Sequence, residues 1–396
     1  MKKITDKLYN WASIIEPNTQ EQAERTSRMP FIKPHLALMP DAHLGAGSTV
    51  GSVIPTDGAI IPAAVGVDIG CGMIAVLTNF KKSDLDQVEG FNGHKLSDLR
   101  HSIERSIPLS AGRFNSKMTD TATRRAEELR EMAGDRIEFY DNLTRTNWQY
   151  QLGTLGSGNH FIEVTLDELD RVWLFLHSGS RGIGNAIAMH HIKIAQKLCE
   201  KWHIALEDPD LAYLVQDTPE FDQYIFDLNW AQHFALLNRE EMMDRVIKDF
   251  EHWSSNPVQE LQRVNCHHNF TQMENHMGRN ILVSRKGAIK AAKGDMGLIP
   301  GSMGTASYVV EGLGNPMSFN SSPHGAGRNF GRNEAKRRFT MEDMDKQMVG
   351  VEYNRSEAFL DEIPSAHKDI DVVMEDAKDL VKILHTLRQI VNVKGD

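Results

Sequence analysis

Apolar residues recur at helical spacing in three stretches of the chain. Ala188, Ile192, Ala195, Cys199 and Trp202 follow one another at intervals of 4, 3, 4 and 3, which lines one face of a helix and predicts that Cys199 is core. Between Phe221 and Trp253 the pattern repeats at Ile225, Leu228, Ala235, Met242, Val246, Phe250 and Trp253. Val373, Ala377, Leu380, Leu384, Leu387 and Val391 draw the same stripe and predict a third helix near the C-terminus. A more polar fourth helix fits TATRRAEELREMAGDRIEFY, residues 121–140. Strands are predicted where short β-rich runs stop at glycine clusters: HFIEVTL (160–166), VWLFLHSGSRG (172–182), NILVSRKGA (280–288) and TASYVVEGLG (305–314). No Pro, Ser or Gly run is long enough to be a linker, and no internal repeat is present. Helices and strands interleave, which fits one large α+β domain at least as well as two.

Composition adds little to that picture. At 396 residues, 40% hydrophobic and 25% charged, the chain reads as a soluble globular protein with ample material for a core. It has no apolar run of signal-peptide or membrane-spanning length, so the expectation is a cytoplasmic protein with no membrane partner. Its three cysteines, Cys71, Cys199 and Cys266, are odd in number and far apart, which suits a reducing compartment. Lys and Arg total 44 against 54 Asp and Glu, a net charge of −10 that argues against non-specific coating of nucleic acid. Local cationic strips remain in RKGAIKAAKG (Arg285, Lys286, Lys290, Lys293) and GRNFGRNEAKRRF (Arg328, Arg332, Lys336, Arg337, Arg338).

The chemistry concentrates in glycine- and serine-rich stretches: HLGAGSTVGS, GVDIGCG, GTLGSGNHF, HSGSRGIG, and IPGSMGTAS with HGAGRNFG behind it. Such turns let backbone N–H groups converge on an anion, and several in one chain suggest phosphate cradles. His160, His177 and His324 sit in or beside these loops, as do Asp68 and Cys71. In NCHHN (265–269), an extended backbone would turn His267 and His268 to opposite faces, so one of the two can enter a given site. Asp68 and Cys71, three residues apart, can reach one point, and a thiolate can bridge two cations that clamp a phosphoryl displacement. Ligand softness favours zinc; the carboxylate and a phosphate substrate favour manganese or magnesium. The absence of any Gly-Lys dipeptide excludes a Walker A loop, and neither a Gly-x-Ser-x-Gly elbow nor a Lys-x-Asp-Gly nucleotidyl-lysine box occurs. A covalent nucleotide intermediate would therefore need another nucleophile, and histidine is competent.

Eight motifs in order carry a resemblance: MPDAHLGAGSTVGSVIPT, GAIIPAAVGVDIGCGM, LGTLGSGNHFIE, HSGSRGIGN, NCHHN, IPGSMGTASYVV, HGAGR and LRQIVNVKG. Together they resemble the RtcB family of RNA ligases from about residue 29 to the end, with residues 80–150 and 203–262 lacking obvious signatures. The resemblance implies one α+β domain over residues 1–396, with β-sheets packed against helices around a central metal-binding cleft. It further implies a GTP- and Mn²⁺-dependent ligase that joins RNA 3′-phosphate or 2′,3′-cyclic phosphate ends to 5′-hydroxyl ends, in tRNA splicing or RNA repair. Archease is an implied activating partner.

On matching positions, Cys71 would bridge two manganese ions, with Asp68 and His268 completing one site and His160 and His177 the other. His324 would be the nucleophile that takes GMP from GTP. Guanylate contacts would come from Asn159, His160, Phe161, Ile162, Glu163, His268, Asn269, Pro300, Gly301, Ser302, Met303, Ser307, His324, Gly325, Ala326, Gly327 and Lys394. A lysine two residues from a chain end would by default be unanchored. Asp41 and His43 are candidates for orienting the attacking hydroxyl, with turn chemistry as the competing reading. The sequence departs from the family pattern at Ala42, in the lack of a cysteine before His324, and in a short region after Pro108. Two other readings compete: a dinuclear phosphodiesterase that opens cyclic phosphates without joining, and a non-catalytic RNA-binding module.

Overall fold

A computed structural model describes residues 1–396. Its centre is a large, mostly antiparallel sheet whose strands run in the order Glu260–His267, Gly72–Lys81, Arg171–Ser178, Phe161–Leu166, Val381–Val393, Ser307–Gly312 and Met296–Ile299. A smaller sheet orders Lys2–Thr5, Leu8–Asn10, Leu36–His43, Val50–Thr56, Arg279–Lys286 and Asn269–His276. All four stretches predicted as strands contain one.

The central strands of the large sheet are buried on both faces, which explains their nearly continuous apolar runs. Met73, Ala75, Leu77, Trp173 and Phe175 point one way, into a core shared with Ala37, Met39, Val53, Ile281 and Val283 of the smaller sheet. Ile74, Val76, Leu174 and Leu176 point the other way, onto Met242, Val246, Phe250 and Trp253. The architecture is thus helix layer, large sheet, small sheet, an α+β arrangement.

Those last four residues lie on the 36-residue helix Pro219–Ser254, which opens with a Thr218 cap, Pro219 at its first position and Glu220 and Asp222 in its first turn. The helix Arg181–Lys201 buries Ile183, Ile187, Ala188, Ile192, Ala195 and Cys199. Trp202, predicted to continue this stripe, caps the helix and is 52% exposed. The polar fourth helix exists but is broken: Asp120–Ala133 stops at Gly134, whose φ of +52° no helical residue adopts, and Ile137–Leu143 follows. Among the described residues, no helix is long and apolar enough to cross a membrane.

The predicted third long helix is a correction. Ile370–Asp376 is a short helix holding only Val373 of that stripe, and Val381–Val393 is a 13-residue strand. Three strands pair with its backbone: Ser307–Gly312 along its first half, Phe161–Leu166 along its second, and Glu352–Tyr353 at Val391 and Asn392. Register shifts near Val309 and Gln389 break the strict alternation, so apolar positions three and four apart imitate a helix. The β-branched residues Val381, Ile383, Thr386, Ile390, Val391 and Val393 were the counter-signal.

Candidate active site

The site assembles where the two sheets meet. Cys71 precedes the strand Gly72–Lys81, His177 lies near the end of Arg171–Ser178, and His160 precedes Phe161–Leu166, so three neighbouring strands deliver one residue each. His268 is the single residue at which the chain leaves Glu260–His267 in the large sheet and enters Asn269–His276 in the small one. Its backbone N–H donates to the Cys71 carbonyl at 2.7 Å. Of the histidine doublet, His268 faces the cleft, while His267 Nδ1 donates to the Gly70 carbonyl at 2.8 Å.

Cys71 Sγ lies 3.4 Å from His160 Nε2 and 3.3 Å from His177 Nε2. His160 Nε2 is 3.1 Å from Asp68 Oδ2, and His177 Nε2 is 2.8 Å from His268 Nε2. That last distance decides what the cluster is for. His177 Nδ1 faces the Asn159 carbonyl at 3.1 Å, so it must donate, and Nε2 is left as a bare lone pair. His268 Nδ1 faces Asn269 Oδ1 at 3.2 Å; that amide is oriented by Gly287 N–H donating to its oxygen and by its own nitrogen donating to the Asp68 carbonyl. His268 Nε2 is therefore bare too, and two bare lone pairs 2.8 Å apart fit a cation shared between them, which groups His177 with His268 and Asp68 with His160 rather than in the Asp68–His268 and His160–His177 pairs that the resemblance implies.

The electrostatics agree. Burial, then neighbouring His160 and His324, holds His177 well below the usual imidazole range, and burial with His324 and His177 does the same for His268. Burial pushes the Cys71 thiol up, and Asp68 reinforces it, so ionising this sulfur calls for a counter-cation. Burial opposes ionisation of Asp68, yet His160, Arg181 and the Ser180 backbone bring it down to about 2. Asp68 is gripped at Oδ1 by Ser180 N–H at 2.9 Å, and a side chain at Gly179 would stand 2.2 Å from that oxygen. Here glycine permits close approach of a carboxylate rather than cradling a phosphate.

His324 faces the same cluster: its ring centroid is 4.5 Å from that of His268. His324 Nδ1 lies 2.7 Å from Asp41 Oδ2, and the same carboxylate oxygen accepts the backbone N–H groups of His324 and Gly325 at 3.2 and 3.1 Å. A Cβ at Gly287 would sit 2.9 Å from His324 Cε1, so a bare backbone leaves room for the ring. His43 lines the same cleft, its Nδ1 donating to the Asp41 carbonyl at 2.9 Å.

Around these groups runs a cavity of roughly 620 Å³, a size suited to a nucleotide. Asn159, Phe161, Glu163, Asn269, Pro300, Gly301, Ser302, Met303, Gly325, Ala326, Gly327 and Lys394 all line it. Three predicted contacts do not: His160 sits against Cys71 and Asp68, and the strand turns the Ile162 side chain to the opposite face, into the core beneath the long helix. Ser307 lies behind the loop, its hydroxyl accepting the Gly301 N–H at 3.3 Å. Lys394 is 5% exposed and donates to the His160 carbonyl at 3.3 Å, far from an unanchored terminus. Glu163 Oε1 accepts from Asn392 at 2.9 Å, while its buried Oε2 has no partner. Burial raises this carboxyl to about 8, against the pull of Lys394 and Asn392.

Sequence reasoning missed the scaffold behind the loops. Asn238 on the long helix accepts from Gly153 N–H at 2.7 Å and donates to the Gly179 carbonyl at 3.1 Å. Its neighbour Arg239, fully buried, donates to the carbonyls of Gly70 at 2.8 Å and Ser178 at 3.2 Å. The cationic strips are largely spent: Arg285 grips Glu274, while Arg328 and Arg332 meet Glu362.

The same order of motifs is found in known proteins. A family model described as tRNA-splicing ligase RtcB matches residues 22–395. The chain is 45% identical over 403 aligned positions to the RNA-splicing ligase RtcB of Escherichia coli (strain K12), covering 98% of this chain and 97% of that protein. It is 29% identical to the tRNA-splicing ligase RtcB of Nanoarchaeum equitans, covering 96% and 92%, and 29% identical to that of Thermococcus kodakarensis, covering 94% and 90%. With the cysteine, histidine and aspartate cluster and the facing His324 loop in place along this whole length, the chain belongs to the RtcB family of ligases.

Proposed function

We propose that this chain is an RNA ligase that joins an RNA 3′-phosphate, or a 2′,3′-cyclic phosphate once water has opened it, to a 5′-hydroxyl, at the expense of GTP. His324 Nε2 attacks the α-phosphorus of GTP; the N–P bond forms, the bond to the β-phosphate oxygen breaks, and pyrophosphate leaves. The RNA 3′-phosphate then takes GMP from His324. Finally the 5′-hydroxyl oxygen attacks that 3′-phosphate and GMP departs with the bonding electrons.

The observation that carries this reading is the facing of His324 and the bare imidazole pair across one cleft, with Asp41 behind the nucleophile. Asp41 holds the Nδ1 proton and so frees Nε2 to attack. Asp68, Cys71, His160, His177 and His268 would hold two divalent ions, read as manganese because a carboxylate and phosphate oxygens join the thiolate and imidazoles. Bound there, the ions neutralise the two phosphates that the reaction brings together. The unpartnered Oε2 of Glu163 suits the N–H donors on the edge of guanine, and Lys394 beside it compensates the charge. Turnover is expected in the cytoplasm, with archease as the activating partner.

The test is joining of a 3′-phosphate RNA to a 5′-hydroxyl RNA across several divalent metals, with and without GTP. The reading expects a joined product that needs GTP and is best supported by manganese. Opened ends without joining, indifferent to GTP, would make the chain a cyclic phosphodiesterase instead.

A further inference from the structure

The cleft extends beyond the proposed nucleotide contacts, and its remaining lining forms a set of its own. Met189, Ile192, Lys193 and Gln196 fall at i, i+3, i+4 and i+7 on the helix Arg181–Lys201, which places them on one face. Asp210 and Lys286 complete the wall. Gln196 Nε2 donates to Asp210 Oδ1 at 3.4 Å. Met189 is 39% exposed and offers the cleft an apolar surface, while Ile192 beside it lines the cleft but is largely covered, at 8% exposed. The Lys286 ammonium is buried and donates to the carbonyls of Ala46 and Ala63, the latter at 3.2 Å. Among the described residues no carboxylate forms a salt bridge with it; the acidic neighbour whose charge acts on it is Asp210 in the same wall, so a buried ammonium faces the cleft with its anion out of contact.

The reaction proposed above dictates what can approach from this side. In the joining step the 5′-hydroxyl oxygen bonds to the phosphorus of the 3′-phosphate, the bond from that phosphorus to the oxygen bridging to GMP breaks, and the hydroxyl proton is released to solvent. In-line displacement requires the attacking oxygen to stand opposite the departing GMP. The nucleoside bearing that oxygen must therefore lie away from Glu163, Lys394 and Arg332, which line the guanosine end of the cleft.

Resting on the ligase reading, we propose that the wall of Met189, Ile192, Lys193, Gln196, Asp210 and Lys286 is the subsite for the 5′-terminal nucleoside of the RNA strand that carries the 5′-hydroxyl. Its base lies on Met189 and Ile192, a sequence-tolerant contact because every base has an apolar face. Gln196 and Asp210 meet the base edge. Lys193 and Lys286 take the first phosphates that follow, and Lys286 thereby gains a direct ionic contact that Asp210 does not give it.

The test uses the full chain with two separate oligonucleotides, one ending in a 3′-phosphate and one beginning with a 5′-hydroxyl, each titrated against an excess of the other. The triple variant Met189→Ala, Lys193→Ala, Gln196→Ala is compared with the unaltered chain. The expected result is a KM for the 5′-hydroxyl strand raised about tenfold or more, with the 3′-guanylated strand accumulating unjoined. GMP uptake by the protein, followed in the same samples, reports that the variant is folded. An unchanged KM for the 5′-hydroxyl strand, or a rise confined to the 3′-phosphate strand, overturns the proposal. Failure of the unaltered chain to join at all overturns the ligase reading, and this subsite with it.

Discussion

The carboxylate of Asp41 reaches across the fold to His324, 283 residues away, and stands 2.7 Å from its Nδ1. One oxygen of that carboxylate also accepts two backbone N–H groups of the His324 loop. Asp41 therefore sets the position of the loop and places a carboxylate beside the ring. Asp41→Asn keeps the size but removes the negative charge beside Nδ1. The rate of GMP transfer from labelled GTP to the protein should fall by roughly 100-fold or more. A variant labelled at the full rate would show that Asp41 only shapes the turn.

Cys71 touches both His160 and His177, and Asp68 lies against His160. On the proposed two-ion reading this thiolate would hold both ions, whereas a serine hydroxyl would remain protonated and neutral. Metal analysis of Cys71→Ser should find both ions lost. One ion retained at full occupancy would mean that the sulfur serves a single site.

Glu163 presents a buried, unpartnered oxygen to the cleft. A site built to accept hydrogen bonds rejects a base that cannot donate them. Glu163→Gln should lose at least about 100-fold in the preference for GTP over ATP, measured as competing rates of protein nucleotidylation. Unaltered preference would place the guanine edge elsewhere.

The buried titratable groups fix how stability depends on pH in the metal- and nucleotide-free protein. Burial pushes His43 down to about 4 and His267 to about 3, from an ordinary 6.5. Below pH 6.5 the unfolded chain takes up protons at these rings and the folded chain does not, so stability falls on acidification. Glu163, raised to about 8 from 4.5, acts with the opposite sign: the folded carboxyl keeps a proton that the unfolded one has released, and stability falls as pH rises from 4.5 to 8. His177 and His268 shift in the same direction as His43 and strengthen the acid limb. The thermal midpoint in chelator should therefore peak near pH 6.5. A midpoint that is flat down to pH 5 would contradict the buried neutral state of the histidines.

Asn238 ties the loops after Gln151 and Ser178 to the long helix. Asn238→Ala leaves buried N–H and carbonyl groups without partners and should cost about 3 kcal/mol by denaturant unfolding. Metal affinity should weaken with it, because Gly179 packs against Asp68. A loss below about 0.5 kcal/mol would mean that water replaces the amide.

Much of the site was legible because its residues sit in short glycine-rich stretches that announce close approach. His160, His177 and His324 stand where such stretches meet strand ends, and His268 was marked by the histidine doublet in NCHHN. Two things were hidden. The contact of Asp41 with His324, and those of Asn238 and Arg239 with the metal loops, join segments distant in the chain, and no local spacing encodes them. The strand Val381–Val393 was disguised by register shifts that lend a period-two segment a helical rhythm. Ile162 shows the same limit at finer scale: a motif names it, but strand geometry turns its side chain into the core.

The claim on which the rest depends is that His324 carries GMP. Incubating the protein with manganese and GTP labelled at the α-phosphate should leave acid-labile label on the chain, lost in His324→Ala while that variant still binds metal. Label retained at full level on the alanine variant would contradict the account.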